Sequence, residues 1–201
     1  MTTRSSKAAA VAQATPRGGG AGTLRIIGGE WRRRVLPIAA VEGLRPTPDR
    51  VRETLFNWLG QYLDGLHCLD LFAGSGALGL EAASRGAASV TLVEAHPVAA
   101  RQLESHCATL GAGPTVRVQR GDALHFLRDA QPEHALDVVF LDPPYARGLL
   151  PQCLEALPRL LAADARVYLE DAVPPVVPPG WDALRQDRAG RVHYALLKRA
   201  G

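Results

Sequence analysis

From residue 67 onward, two patterns of hydrophobic and polar positions alternate along the chain. Short apolar runs predict strands, and longer segments with apolar residues at helical spacing predict helices. The predicted strands cover residues 67–72, 89–93, 115–119, 136–141 and 165–170, and the predicted helices cover residues 77–85, 97–110, 122–129 and 149–161. Strands separated by helices of this length predict an α/β fold, in which a parallel sheet carries helices on both faces.

The pattern before this region is different. Residues 1–23 are small, polar and rich in glycine, and their lack of apolar periodicity predicts a disordered tail. Two short strands at residues 24–27 and 31–36 are predicted to form a hairpin around Gly28-Gly29.

A helix and a second hairpin complete the predicted elements. Thr47 as N-cap, with Pro48 at the first helical position, predicts a helix that ends near Gly60. Segments 181–186 and 191–198 predict a closing antiparallel hairpin. The chain is thus divided into a tail (1–23), an extension of hairpin and helix (24–60) and an α/β domain (61–201).

Size and composition limit the class of protein. The 201 residues, 47% hydrophobic and 21% charged, can bury one good-sized core. No apolar run approaches the roughly 18 residues of a bilayer span, and the start lacks the apolar block of a secretory signal, so we expect a cytoplasmic protein with no membrane contact. The three cysteines form no CxxC pair and the six histidines no cluster with metal-ligand spacing, which predicts reduced thiols and no metal site. No long apolar stripe is left over, which predicts a monomer.

Positive charge is concentrated at the start of the chain. Residues 1–52 contain ten Lys or Arg and three acids, a net charge of +7, whereas residues 53–201 contain thirteen Lys or Arg and seventeen acids, a net charge of −4. A basic segment on a mildly acidic body is typical of proteins that grip a polyanion with one part. The alternative is a solvated basic terminus without a partner.

A glycine-rich loop, DLFAGSGALG from Asp70 to Gly79, follows the first predicted strand of the α/β region. Gly74 and Gly76 let a ligand approach the backbone closely, and the helix start beyond them presents unpaired N–H groups. The spacing alone also fits a dinucleotide site, with Glu94 about twenty residues further on. Asp70 favours S-adenosylmethionine, because a carboxylate directly before the loop would repel a pyrophosphate but suits an ammonium group.

Two further acids follow the next two predicted strands. Glu94 can accept hydrogen bonds from both ribose hydroxyls of a nucleoside. Asp122 can contact the adenine amino group, or it can simply cap the helix that it precedes. The full set of predicted cofactor contacts is Asp70, Phe72, Gly74, Ser75, Gly76, Glu94, Asp122 and Ala123.

An apolar strand leads directly into the tetrapeptide Asp142-Pro143-Pro144-Tyr145. Ligands of open α/β sheets bind beyond the carboxyl ends of the strands, which places the tetrapeptide beside the glycine loop. An exocyclic amine of guanine or adenine is a poor nucleophile. The Asp142 carboxylate and the Pro143 carbonyl can accept its hydrogens and stabilise the positive charge that develops on nitrogen. The prolines hold that carbonyl in place, and Tyr145 can stack on the base. A rigid turn without catalytic function is the alternative.

Four segments in combination resemble a known family. They are LRIIGG at 24–29, GLRPTPDRVRE at 43–53, DLFAGSG at 70–76 and DPPY at 142–145. From residue 24 to residue 199, the chain resembles the RsmD family, the 16S ribosomal RNA guanine-N2 methyltransferases. The glycine loop and the tetrapeptide occur in many amino-methyltransferases, whereas the block from Arg45 to Glu53 is more specific to this family.

The resemblance implies a Rossmann-like class I S-adenosylmethionine-dependent methyltransferase fold, with a seven-stranded sheet and an N-terminal β-hairpin extension. It also implies methyl transfer to the exocyclic N2 amine of a guanine in 16S ribosomal RNA, within the small ribosomal subunit or its assembly intermediate. Asp142 and Tyr145 would face this substrate. Three consecutive arginines, residues 32–34, depart from the mixed Arg/Gly pattern of the family but do not affect the chemistry.

Six arginines are the candidate RNA contacts. The guanidinium group pairs bidentately with phosphate and stacks on unpaired bases. The six lie in the hairpin, in the family-specific block and on the first helix: Arg32, Arg33, Arg34, Arg45, Arg50 and Arg52. For Arg50 and Arg52, the alternative is an exposed helix face without a partner.

Three other functions share part of this pattern. An N6-adenine methyltransferase acting on DNA would use the same tetrapeptide, but the chain is too short to include a separate target-recognition domain. A dehydrogenase would be protected from unfolding by NAD, and a non-catalytic RNA-binding protein would bind RNA without turnover. Asp142 together with Tyr145 argues against the dehydrogenase and the binding protein.

Overall fold

A computed structural model describes residues 22–41, 44, 47–144 and 148–200. In this part of the chain the strands are β1 (Thr23–Arg25), β2 (Val35–Pro37), β3 (His67–Asp70), β4 (Ser89–Glu94), β5 (Val116–Arg120), β6 (Leu136–Leu141), β7 (Leu161–Asp171), β8 (Trp181–Ala189) and β9 (Val192–Arg199). The α-helices are α1 (Asp49–Leu59), α2 (Gly79–Ser84), α3 (Pro97–Leu110), α4 (Ala123–Asp129) and α5 (Leu150–Ala156).

Seven of these strands form one sheet in the order β5-β4-β3-β6-β7-β9-β8. Strands β3 to β7 are mutually parallel, and β9 and β8 close the sheet as an antiparallel hairpin. Because a helix returns the chain to the opposite edge between each parallel strand and the next, all the carboxyl ends of β3 to β7 lie at one edge. The predicted α/β class and the closing hairpin are therefore confirmed.

The sheet has a separate apolar core on each face. One face packs against the first hairpin and helices α1, α2 and α3, through side chains that include Leu24, Phe56, Leu80, Leu103 and Tyr168. The other face packs against α4 and α5, through side chains that include Leu127, Val139, Cys153, Val167 and Trp181. The sequence-based extension of residues 24–60 thus shares its core with the α/β domain.

A buried carboxylate, Glu81 on α2, joins the hairpin to this domain. It accepts hydrogen bonds from the backbone N–H groups of Ile27 at 2.8 Å and Gly28 at 2.7 Å. It also pairs with the guanidinium groups of Arg52 at 3.2 Å and Arg85 at 2.9 Å. Since Glu81 is 0% exposed, each of these contacts offsets the cost of burying its charge.

The hairpin differs from its prediction in the position of the second strand. Residues 31–36 were expected to be extended, but β1 pairs with Val35–Pro37, and Trp31 and Arg33 lie in the connecting turn. The backbone N–H of Trp31 donates to the Ser84 hydroxyl at 2.9 Å, and this contact with α2 holds the turn. Gly29 has a φ of +74°, and a Cβ there would lie 1.7 Å from the Ser84 carbonyl oxygen, so only glycine fits.

Two helix boundaries also differ from prediction. Pro48, and not Thr47, flanks the start of α1, and no side chain caps this end. Thr47 is buried beside the carboxyl edge of the sheet instead. The helix expected over 149–161 ends at Ala156 and continues as a 3₁₀ turn, Leu157–Leu160, because Pro158 has no N–H to extend the α-helical ladder.

Candidate active site

Acidic residues end or follow every parallel strand of the sheet. Asp70 ends β3, Glu94 ends β4, Asp122 follows β5, Asp142 follows β6 and Glu170 is the penultimate residue of β7. The topology brings these five positions to the same edge. The acids of this set that are ionised produce a negative potential at the carboxyl edge, which favours a cationic ligand and opposes a pyrophosphate.

The glycine loop begins at this edge and is held by backbone hydrogen bonds, one within the loop and one to β4. The N–H of Ala73 donates to the Val93 carbonyl at 2.9 Å, and the N–H of Gly76 donates to the Ala73 carbonyl. Gly76 has a φ of +83°, and a Cβ there would lie 2.7 Å from side-chain carbons of Leu80 and Leu103. This glycine therefore allows the loop to turn tightly against α2 and α3.

Asp70 holds the far end of the glycine-rich segment through a hydrogen bond to Gly79. Its Oδ2 accepts a hydrogen bond from the N–H of Gly79 at 2.9 Å, and the residue is 2% exposed. Burial raises the pKa of Asp70 to about 7, and the nearby Asp142 and Glu94 carboxylates add to this rise. Sequence reasoning assigned this residue to the cofactor and missed its contact with the loop backbone.

Glu94 and Asp122 lie on the other side of the loop. The two Glu94 carboxylate oxygens accept hydrogen bonds from the N–H groups of Gly74 at 2.8 Å and His96 at 2.6 Å. Asp122 caps α4, since its Oδ1 accepts from the N–H of His125 at 2.9 Å. Glu94 therefore sets the distance between the loop and the end of β4, and Asp122 has the capping role that the sequence left open.

The remaining predicted cofactor contacts differ in exposure. Ser75 is 4% exposed and Ala123 is 6% exposed, while Phe72 is partly buried against the α4 and α5 side of the sheet. The ligand-facing surface of the loop therefore consists largely of backbone, as expected where a ligand approaches glycines closely.

Asp142 is half-buried at the end of β6. Its pKa is raised to about 6 by burial, while the hydroxyl of Thr47 lowers it. Pro143 is buried and Pro144 is exposed. At neutral pH Asp142 is therefore largely ionised and able to accept hydrogen bonds.

Glu170 lies beside Asp142 and was not among the predicted site residues. The register pairs Leu141 with Leu169, so the next residue on each strand lies side by side. Glu170 is 2% exposed, and its Oε1 accepts a hydrogen bond from the Tyr168 hydroxyl at 2.9 Å. An acid at the end of an otherwise apolar strand was the available sequence signal.

The prediction of an RNA contact at Arg52 is wrong. Arg52 is 1% exposed, and its guanidinium group pairs with Asp49 at 2.6 Å and Glu81 at 3.2 Å and donates to the Arg25 carbonyl at 2.8 Å. A phosphate group cannot reach it. Arg50, on the same helix, is exposed.

The arginine turn of residues 32–34 lies far from Asp142. All three residues are exposed, and the Arg34 guanidinium donates to the Thr109 carbonyl at 3.2 Å. Thr109 is near the end of α3, whose 14 residues span roughly 20 Å from the carboxyl edge of the sheet to the opposite edge. The turn and Asp142 are therefore at opposite edges of the sheet.

Some predictions lie outside the described residues, namely those for Tyr145, Arg45 and the tail. Within the described ranges, no group of three His, Cys, Asp or Glu side chains could hold a metal ion. None of the helices seen there is long and apolar enough to cross a membrane. The three cysteines are free and buried, as predicted.

Comparison with known proteins assigns the family. The model of the family described as "Conserved hypothetical protein 95" matches residues 24–198. Ribosomal RNA small subunit methyltransferase D of Escherichia coli (strain K12) is 48% identical over 189 residues, which cover 92% of this chain and 94% of that protein. The chain belongs to the RsmD family.

Further members and structures agree with this assignment. Ribosomal RNA small subunit methyltransferase D of Haemophilus influenzae is 43% identical over 88% of this chain and 94% of its own length. The solved structure of yhhF from Escherichia coli is 49% identical, with a TM-score of 0.78 over 89% of this chain and 98% of that chain. The Rossmann-like class I methyltransferase fold and the methyltransferase class that the RsmD resemblance implied are confirmed.

Proposed function

We propose that this RsmD family member transfers a methyl group from S-adenosylmethionine to the exocyclic N2 amine of a guanine in 16S ribosomal RNA. The observation that carries the proposal is the position of Asp142, a carboxylate directly after β6, at the carboxyl edge beside β3, from which the glycine loop begins. The name of the related proteins supports a substrate in the small ribosomal subunit.

The acids at this edge fit the cofactor. S-adenosylmethionine supplies an electrophilic methyl group on a positively charged sulfur, and it contains an ammonium group and two ribose hydroxyls but no phosphate. Glu94 and Asp122 would hold the nucleoside end, and the glycine loop from Asp70 to Gly76 would hold the amino-acid end. Burial is the main cause of the raised pKa of Asp70, and repulsion from Asp142 and Glu94 adds to it. A cationic ligand relieves this repulsion and a pyrophosphate increases it, which disfavours the dehydrogenase alternative.

The protein residues act on the substrate amine. Asp142 and the carbonyl of Pro143 accept its two hydrogens, orient its nitrogen and stabilise the positive charge that grows there. Asp142 then takes the proton that the methylated nitrogen releases. Tyr145 stacks on the base, which must leave its own stack to reach the site.

The substrate is 16S ribosomal RNA in the small subunit or an assembly intermediate, and the enzyme acts in the cytoplasm as a monomer. Arg50 lies on the first turn of α1, near the carboxyl edge, and contacts phosphates close to the base. Arg45 is assigned the same role from the sequence. The turn of residues 32–34 contacts RNA further away, at the opposite edge of the sheet.

The direct test is methyl transfer from radiolabelled S-adenosylmethionine to 16S RNA and to small subunits that lack their own guanine-N2 methylation, followed by nucleoside analysis. Label in N2-methylguanosine is the expected result. Label in N6-methyladenosine, or in no nucleoside despite measurable cofactor binding, would contradict the proposal.

The role of the arginine turn gives a second test. Replacing Arg32, Arg33 and Arg34 together with alanine should weaken 16S RNA binding and reduce the slope of log K against log salt by about two to three, because each lost phosphate contact removes about one released counterion. The affinity for S-adenosylmethionine should not change. Filter binding between 50 and 300 mM salt measures this slope for the wild-type protein and for the variant.

A triple variant of Arg101, Arg117 and Arg128 is the matched control, since these exposed side chains lie on α3, β5 and α4 and their removal changes the net charge equally. It should keep the wild-type slope. Equal slopes for the wild-type protein and the 32–34 variant would remove the turn from the RNA-binding surface.

A further inference from the structure

Glu170 is a buried acid that the reaction described above does not use. It lies at the end of β7 next to Asp142, since the register of β6 and β7 aligns the two residues. Neighbouring strands are about 4.8 Å apart, so the two carboxyl groups are close neighbours. A buried acid that touches the base-facing carboxylate needs a physical explanation, because an uncompensated charge there is costly.

Polar groups face Glu170 from each element around it. Asp142 approaches from β6 and Asp70 from β3, and both raise its pKa. Tyr168 donates from the same strand, and Tyr194 lies opposite on β9. The hydroxyl of Thr47, just before α1, lies close to both Glu170 and Asp142 and lowers the pKa of each. The buried cation of α1, Arg52, pairs with Asp49 and Glu81 instead.

The two neighbouring acids differ in burial. Glu170 is 2% exposed, whereas Asp142 is half-buried. Burial raises the pKa of both groups, and the Asp142 carboxylate raises that of Glu170 further. Two carboxyl groups removed from water side by side share one proton more readily than they both ionise, and we assign this proton to Glu170, the more deeply buried of the two.

The number of hydrogen-bond donors around the two acids explains what the proton on Glu170 does. The Thr47 hydroxyl has one hydrogen to donate, and two ionised carboxylates would compete for it. When Glu170 is protonated, its O–H can donate to the Thr47 oxygen and Thr47 can donate to Asp142. The Tyr168 hydroxyl meanwhile donates to Oε1 of Glu170. The hydroxyl groups of Thr47 and Tyr168 then both have hydrogen-bond partners, and the negative charge is left on Asp142.

We propose that Glu170 is a positioning residue: its protonated carboxyl group turns the Thr47 hydroxyl toward Asp142 and fixes the orientation in which Asp142 accepts hydrogen bonds from the substrate amine. This inference rests on the proposed function, because it concerns the same methyl-transfer site. It extends the site to the residues before α1, so the family-specific segment around Thr47 contributes to catalysis as well as to folding.

The pH dependence of kcat follows from the hydrogen bond that protonated Glu170 donates to Thr47. As the pH rises through the Glu170 pKa, Glu170 loses its proton, Thr47 is shared between two carboxylates, and kcat falls. Glu170→Gln keeps an N–H donor toward Thr47 and an oxygen acceptor for Tyr168 at every pH. Its kcat at pH 7 should therefore stay within about threefold of wild type, and the ratio of variant to wild-type kcat should rise about tenfold between pH 7 and 9.5.

Comparison by ratio removes any titration of the RNA substrate, which affects both enzymes equally. Glu155→Gln, on the exposed surface of α5, is the matched control and should give a constant ratio. Thr47→Val should lower kcat about tenfold at pH 7 with an unchanged dissociation constant for S-adenosylmethionine, and Thr47→Ser should restore the rate.

Single-turnover rates measured between about pH 7 and 9.5 test the positioning role of Glu170. A Glu170→Gln ratio that stays flat, a Thr47→Val variant with the wild-type kcat, or a folded, cofactor-binding Glu170→Gln variant that is tenfold slower at pH 7 would each overturn the positioning role. A wild-type protein that produces no N2-methylguanosine at any pH would refute the proposed function itself, which is a different outcome.

Discussion

Asp142→Ala is expected to lower kcat by about a thousandfold, because it removes the carboxylate that we propose to stabilise the developing charge on the substrate nitrogen. The dissociation constant for S-adenosylmethionine should stay within about twofold, since the glycine loop and Glu94 are held by contacts that do not include Asp142. Single-turnover methyl transfer to 16S RNA and calorimetric titration of the cofactor measure the two effects separately.

Asp142→Asn gives a graded comparison. It keeps one oxygen acceptor but loses the charge, so its rate should lie between those of the wild type and Asp142→Ala. Asp129→Ala, an exposed acid at the end of α4, changes the net charge equally and should keep the wild-type rate. A fully active Asp142→Ala enzyme would show that Asp142-Pro143-Pro144 is a rigid turn without a catalytic function.

Glu81→Ala is expected to destabilise the protein by about 4 kcal/mol, because removal of one member of a buried ionic network leaves the buried Arg85 without a carboxylate partner and Arg52 with Asp49 alone. The side chains left without this partner are Arg52 and Arg85, and the N–H groups of Ile27 and Gly28 lose their acceptor. Urea unfolding followed by circular dichroism gives the free energy of unfolding.

Two further variants separate this network from a general effect of charge. Glu155→Ala removes an exposed acid and should change the free energy of unfolding by less than about 0.5 kcal/mol. Combining Glu81→Leu with Arg52→Met and Arg85→Met should recover part of the loss, because no buried charge then remains. The recovery should be incomplete because the two backbone N–H groups still lack an acceptor. A loss below 1 kcal/mol for Glu81→Ala would show that the hairpin is anchored by its apolar contacts alone.

The parallel strands and the helices between them could be predicted because each carries a local pattern. The strand 136–141 and the helix 97–110 have the predicted bounds, and the first strand of the α/β region is shorter than expected at its carboxyl end. Periodicity of this kind depends only on neighbouring residues and on which side of the element faces a core. Element ends were less accurate, as at Ala156 and Val35, because they depend on contacts with other segments.

The acids at the carboxyl edge could be predicted for a related reason. In a parallel sheet, the topology alone brings the ends of strands together, so Asp70, Glu94 and Asp142 could be placed near one another from their positions after apolar runs. Glu170 and Thr47 were not found. Glu170 carries the signal of an acid at the end of an apolar strand, but the role that we propose for it and for Thr47 depends on strand register and on the path of the segment before α1.

The arginines of α1 show that the pattern of charges along the sequence does not predict which charged side chain is buried. Arg50 and Arg52 are two residues apart on one helix, and the sequence gives both the same interpretation. Residues two apart on a helix point in different directions, so one faces solvent and the other faces the core. Only the position of Glu81, which comes from another segment, makes burial of Arg52 possible. The turn of residues 32–34 likewise lies at the opposite edge because Ser84 holds it there.

By itself, the sequence determined the α/β class, the order of strands and helices, the glycine loop and the acids that follow the strands, since these depend on local periodicity and on the rules of parallel sheets. Only the tertiary structure decided which charges are buried, which edge the arginine turn occupies and which acid lies beside Asp142. The physical reason is that a charge takes its role from the partners and the dielectric around it, and in this protein those partners come from segments far away in the chain.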